Sequence, residues 1–155
     1  MKRNTTSNVT YTDEAFLLET EPIEGYHVIE VNTQGILDLT AHGRNFRKFF
    51  PVTYEKYVAM CASRSIKPGD VVYEIENDYH IVLMCVAEHI TKKMQDDIST
   101  IEMAIDNSIA ALQDFVVSDD RIVMPVPMRN MPVVSQYFMR QMNNKFNLPI
   151  KVCRS

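Results

Sequence analysis

Three stretches of the chain carry polar side chains where a ligand or a reaction could use them. The first is Asn32-Thr33-Gln34-Gly35, which follows the apolar run Tyr26 to Val31. An amide and a hydroxyl at such a turn can hydrogen-bond a sugar or the edge of a base. The ordinary alternative is an Asx-type turn in which Asn32 serves only its own backbone. Locally that alternative is the stronger one, because Asn and Gly are routine turn residues. The second stretch, His89 to Asp97, sets Lys92 and Lys93 just ahead of a helical pattern. Lysines there could meet a diphosphate, or act as acid or base if desolvated. Neighbouring Lys and Asp residues in a loop more commonly form a solvated surface that contributes little. The third stretch, Met124 to Pro132, contains Pro125, Pro127 and Pro132 but no glycine. Such a loop is stiff, and its lack of glycine limits the close approach of its backbone to a phosphate.

Other chemistries are poorly provided for. His27, His42, His80 and His89 show no HxxxH or HxH spacing, and Cys61, Cys85 and Cys153 are an odd set with no CxxC pair. Neither a metal site, a disulfide framework, a Ser/His/Asp or Cys/His arrangement, nor a resident cofactor is expected. Cys61 and Cys85 lie in apolar runs and read as small core residues. Sixteen Lys and Arg against twenty Asp and Glu give a net charge of -4, the wrong sign for bulk nucleic-acid binding. Arg44, Arg47 and Lys48 share one helical face and could touch phosphates. With Phe46, Phe49 and Phe50 opposite them, a solvated outer face is the commoner arrangement. Ten methionines, five of them from Met124 to Met142, suit either an adaptable core or an interface with a protein partner or a second copy. No window of about eighteen apolar residues suggests a membrane helix, and Met1 to Asn8 leads into no apolar run, so a cytoplasmic protein is expected.

The elements that must hold these stretches can be read from periodicity. With 155 residues, 46% of them hydrophobic, one domain is expected, with residues 1–12 a flexible tail and 13–155 the folded unit. Strands are expected at Ala15 to Leu18, Tyr26 to Val31, Val71 to Ile75, His80 to Val86, Arg121 to Met124 and Ile150 to Cys153. The spacing of Ile101, Ala104, Ile105, Ile109, Leu112 and Phe115 predicts a helix from Ser99, opened by a Ser99/Glu102 capping box. A second helix starts at Pro132 and turns Val134, Tyr137, Phe138, Met142 and Phe146 inward. Thr40 to Ser65 reads as two helices broken near Pro51. Strands apolar on both faces and alternating with helices predict an α/β fold in three layers, α/β/α, around a mixed, mostly parallel six-stranded sheet. Such sheets bind ligands beyond the C-terminal ends of their strands.

In this order the pieces resemble the macro domain, a three-layer fold that binds ADP-ribose and in some branches removes it from proteins or DNA. The resemblance spans about residues 15–153. Its central part is His27-Val28-Ile29-Glu30-Val31-Asn32-Thr33-Gln34-Gly35, then Asn45-Phe46-Arg47-Lys48-Phe49-Phe50-Pro51 with Tyr54 and Tyr57. Ile66-Lys67-Pro68-Gly69, the strand His80 to Val86, the helix at Ser99 and the strand ending Met124-Pro125 follow in the family's order. Ile90-Thr91-Lys92-Lys93 is similar to a lysine pair of the small terminal ADP-ribose glycohydrolases. That likeness implies Lys92 as a catalytic residue forming an adduct with the opened ribose, and the wider family resemblance implies Glu21, in Glu19-Thr20-Glu21, as the acidic adenine contact after the first strand.

Two departures qualify the likeness. Asp38-Leu39-Thr40 stands where the family has Gly-x-Gly, and Met128-Arg129-Asn130-Met131-Pro132 stands where it has a Gly-rich loop with, in that branch, a catalytic Asp. Side chains there obstruct both diphosphate cradles. The expectation is a binding or interaction module for ADP-ribose or a related nucleotide with an altered pocket, touching its ligand through Glu21, Asn32, Thr33, Gly35, Lys92, Arg129 and Asn130. A small intracellular or viral protein that interferes with ADP-ribose-linked signalling fits the resemblance. Two alternatives stand beside it: a glycohydrolase using Lys92 with Glu88 or Asp96, and an interaction or homo-oligomerisation module with a vestigial pocket.

Overall fold

The structure is a computed structural model and describes residues 7–17, 22–37, 39–88, 97–114, 116 and 120–154. In chain order its elements are β1 (Val9–Ala15), β2 (Tyr26–Asn32), α1 (Ala41–Phe49), α2 (Pro51–Ala62), β3 (Val71–Glu76), β4 (Tyr79–Ala87), α3 (Ile98–Gln113), β5 (Ile122–Pro125), α4 (Pro132–Lys145) and β6 (Ile150–Arg154). One six-stranded sheet runs β1-β6-β5-β2-β4-β3. Every pairing is parallel except β3 with β4, so the sheet is mixed and mostly parallel, as the buried apolar strands require. The exception follows from a tight connection. Asn77 and Asp78 both take left-handed backbone, φ 51° and 67°, the geometry of a two-residue type I′ hairpin turn.

Alternation along β2 divides the core in two. Val28 faces the layer of α3 and α4, where it joins Ile101, Ile105, Phe138 and Met142. Ile29 and Val31 face the layer of α1 and α2, with Phe46, Phe50 and Tyr57. Each of these side chains is essentially out of water, and full burial of one contributes about 1.5–3 kcal/mol. The expected inward faces of α3 and α4 are therefore in place, with Tyr137 half-buried and Phe115 outside the described residues. The break between α1 and α2 also falls where expected. Phe50 leaves helical geometry (φ -123°, ψ 66°) because a residue before proline is pushed from it, and Pro51 then opens α2. From β3, Glu76 reaches over and accepts hydrogen bonds from the Thr53 N–H and hydroxyl, both at 2.8 Å, an anion at a helix N-terminus.

Three expectations are corrected. The segment 1–12 is not all tail: from Val9 the chain is a strand paired in register with β6, Val9 opposite Ile150 and Tyr11 opposite Val152. Polar Asn8 anchors its start, its side chain donating to the Phe146 carbonyl at 2.7 Å. Main-chain pairing, rather than an apolar pattern, makes this edge strand. The apolar run at Ala15 is correspondingly not a strand of its own. Ala15 ends β1, and Phe16 and Leu17 are buried in a turn where Leu17 has φ 58°. The capping box does not form. α3 starts at Ile98 with Asp97 as its extended N-cap residue, which places Ser99 inside the first turn.

Candidate functional site

β2 has parallel neighbours on both sides, β4 and β5, and beyond the C-terminal ends of these strands the chain leaves a cleft of about 630 Å³. Its floor is Glu30, Val31 and Asn32 of β2 with Val86 and Ala87 of β4. One wall is the loop after β2 (Ile36, Leu37, Leu39, Thr40) and the start of α1 (Ala41, His42); the other is Met128 to Met131. The volume is within the roughly 300–1,000 Å³ typical of small-molecule sites.

The first wall is shaped by Asn32. Its Nδ2 donates to the Ile36 carbonyl at 2.9 Å, while Oδ1 accepts from the Gln34 N–H at 2.8 Å. That is the Asx turn weighed above, closed by a second bond across the loop. From α2, the buried Tyr57 hydroxyl donates to the Asn32 carbonyl at 2.6 Å and accepts from the Asn32 N–H at 3.3 Å. Gly35 supplies the left-handed residue of this loop, φ 74°. Gly43 allows the loop to close on α1, since a Cβ there would lie 1.6 Å from the Leu37 carbonyl oxygen. Thr40 caps α1, its hydroxyl accepting from the Gly43 N–H at 3.1 Å.

The opposite wall carries the same kind of turn without glycine. Met128 itself takes φ 49°, so the loop keeps a left-handed residue despite the Cβ. Part of the reason is packing, as the Met128 side chain lies against the α3/α4 core. The Met128 N–H donates to Glu30 Oε2 at 2.6 Å, and the other oxygen, Oε1, lies 3.4 Å from His42 Nε2.

Of the residues singled out beforehand, Asn32, Arg129 and Asn130 line this cleft and Thr33 and Gly35 do not. The Thr33 hydroxyl donates to the Glu88 carbonyl at 3.3 Å, tying the loop to the end of β4, and Glu88 itself is exposed. Gly35 packs toward Cys61 and Val58 of α2. Lys92, Lys93, Asp96, Glu21 and Asp38 lie outside the described residues. Sequence reasoning missed Glu30, His42 and Gly43 as parts of the site. A lone carboxylate inside the apolar run His27 to Val31 was the available signal, because a charge there needs a partner.

No other described cluster competes. Among the described residues no group of His, Cys, Asp and Glu could hold a metal ion. Burial pushes the Cys61 thiol above its ordinary pKa, away from thiolate character. Arg44, Arg47 and Lys48 are exposed, and the Arg47 guanidinium lies 5.1 Å from the Tyr54 ring centre. Among the described residues, no helix is long and apolar enough to cross a membrane.

No protein-family model matches the chain, and no curated protein matches it. Solved structures do. The macrodomain of Thermus aquaticus DarG superposes with a TM-score of 0.70 at 17% identity, over 95% of this chain and 97% of that one. The macrodomain of Mycobacterium tuberculosis DarG gives 0.72 at 13% identity, over 95% and 97%. Thermosipho africanus DarTG, solved in complex with ADP-ribose, gives 0.71 at 14% identity, over 97% of this chain and 42% of that one. The chain therefore has the macrodomain fold, and its central cleft lies at the strand ends of that fold.

Proposed function

We propose that this chain is a binding module for ADP-ribose or a related nucleotide, with a pocket altered from the family pattern and without efficient ADP-ribosyl hydrolase activity. One observation carries the reading: in a macrodomain fold, the cleft is walled by the Asn32-anchored loop on one side and the left-handed Met128 loop on the other. Convergent polar groups on apolar walls at the switch point of a parallel sheet are the general form of a nucleotide site.

Within this reading, Asn32 sets the shape of one wall, and Arg129 and Asn130 supply polar contacts to the ligand. Glu21 and Lys92 are carried as contacts on the resemblance alone. A cytoplasmic role in interfering with ADP-ribose-linked signalling belongs to the same proposal. Isothermal titration with ADP-ribose, paired with a turnover assay on ADP-ribosylated protein and DNA, tests it. Saturable binding with no release of ADP-ribose is expected. Rapid turnover, or no heat and no thermal shift with any adenine nucleotide or nucleoside, rules it out.

A further inference from the structure

The loop between β5 and α4 ends a parallel strand and carries a left-handed residue, the backbone setting in which successive N–H groups commonly hold an anion. Here the chain supplies the anion itself. Glu30 projects from β2, its side chain 9% exposed, and its Oε2 takes the Met128 N–H at 2.6 Å. Its Oε1 is shut from solvent and has no hydrogen-bond donor among the described residues. The group facing it is the imidazole of His42, its Nε2 at 3.4 Å, on a side chain 8% exposed. The carboxylate is thus held from both walls of the cleft, by the β5–α4 loop and by the first turn of α1.

We propose that Glu30 is the specificity-determining residue of this cleft: its carboxylate occupies the loop N–H that an anionic ligand needs, so the cleft selects an uncharged, hydroxyl-bearing nucleoside against a nucleoside diphosphate. The inference rests on the reading of this cleft as the ligand site given above and narrows its ligand class, with an adenine nucleoside favoured and ADP-ribose the weaker ligand. Two like charges cannot share one donor without repulsion, and in a partly enclosed site water screens that repulsion weakly. A diphosphate therefore has to displace Glu30 and break its contact with His42, whereas a ribose hydroxyl or an apolar base edge does not. Arg129, exposed on the same loop, acts at the rim and leaves the Met128 N–H closed.

The experiment measures the affinities of adenosine and ADP-ribose, by titration calorimetry, for the unaltered protein, Glu30→Gln and Glu30→Ala. Thermal melts establish that each is folded. The unaltered protein is expected to bind adenosine at least as tightly as ADP-ribose. In the variants the ratio of the two affinities moves at least tenfold toward ADP-ribose, with Glu30→Ala moving further because it frees the N–H completely. A ratio that moves less than tenfold in both folded variants overturns the assignment. If neither variant folds, the ranking in the unaltered protein decides, and tighter binding of ADP-ribose overturns it. Absence of binding by either ligand to all three proteins instead removes the nucleotide reading itself, and this inference with it.

Discussion

Tyr57 and Asn32 are joined twice at the root of the cleft. The tyrosine hydroxyl, carried by α2, donates to the Asn32 carbonyl at 2.6 Å and accepts from the Asn32 N–H at 3.3 Å. Both residues are buried, so no water replaces either bond, and the end of β2 is clamped to a helix of the α1/α2 layer. The loop that walls the cleft grows from this clamp. Its geometry thus depends on a residue that never lines the cleft.

Tyr57→Phe keeps the ring and removes the clamp. Two buried backbone groups lose a partner, and a buried unsatisfied group costs about 1–3 kcal/mol. Urea unfolding should show a loss in that range, with ligand affinity falling as the wall loosens. Wild-type stability in the variant rejects the clamp as an energetic feature.

Asn32→Asp separates the two ends of the Asx turn. The bond from the Gln34 N–H survives, but the donor to the Ile36 carbonyl is lost and an oxygen replaces it. A destabilisation of about 1–3 kcal/mol is expected. Hydrogen exchange should rise in the loop 33–37 first; uniform exchange across the sheet argues against a local role.

Gly35 and Gly43, which shape the first wall from behind, should fail for different reasons. Gly→Ala in a helix ordinarily gains about 1 kcal/mol. Gly43→Ala should instead lower the melting temperature sharply or prevent folding, since its Cβ would overlap the Leu37 carbonyl oxygen at 1.6 Å. Gly35→Ala has room, its Cβ 3.6 Å from that of Cys61, but must hold φ 74°, which costs about 1–2 kcal/mol. Thermal melts of the pair should rank Gly43→Ala as much the worse.

Stability should fall at alkaline pH. The Asp106 carboxylate, accepting from the Tyr137 hydroxyl at 2.7 Å, is the main reason its pKa is pushed up to about 12, and burial pushes that of Tyr57 up as well. Unfolded tyrosine ionises near pH 10, so both groups favour the folded state while neutral. Their contribution is complete below about pH 10 and is lost as pH rises through the folded values. Urea midpoints measured from pH 9 to pH 12 should decline, and decline less steeply in Tyr137→Phe. A flat profile contradicts the assignment.

Alkylation offers a check on the thiols. Cys85 and Cys153 are buried, and Cys61 is half-buried with burial raising its pKa. Iodoacetamide at neutral pH should label the native protein slowly and all three cysteines rapidly in denaturant, read by mass spectrometry. Fast labelling of native Cys61 would show a thiolate that this environment does not favour.

The layer architecture was legible in the chain because hydrophobic period is a local property. Five of the six strand expectations overlap observed strands without correction, and the helix break at Pro51 and the start at Pro132 follow from the proline ring itself. The same reading misplaced β1, whose side chains carry little pattern and whose existence depends on hydrogen bonds to β6. It also took Ser99 as a cap where Asp97 holds the extended backbone that a cap requires.

The sequence by itself determined the alternation of strands and helices, the two-sided burial of β2, the turn after Asn32 and the family likeness, all of which reside in residue types a few positions apart. Only the tertiary structure decided what the cleft is made of. It turned Thr33 and Gly35 away, brought Tyr57 beneath Asn32, and set the Glu30 carboxylate against the N–H of Met128, 98 residues further along the chain. Contacts at that separation are set by how whole layers pack, and no local pattern of side chains encodes which buried charge will meet which backbone donor.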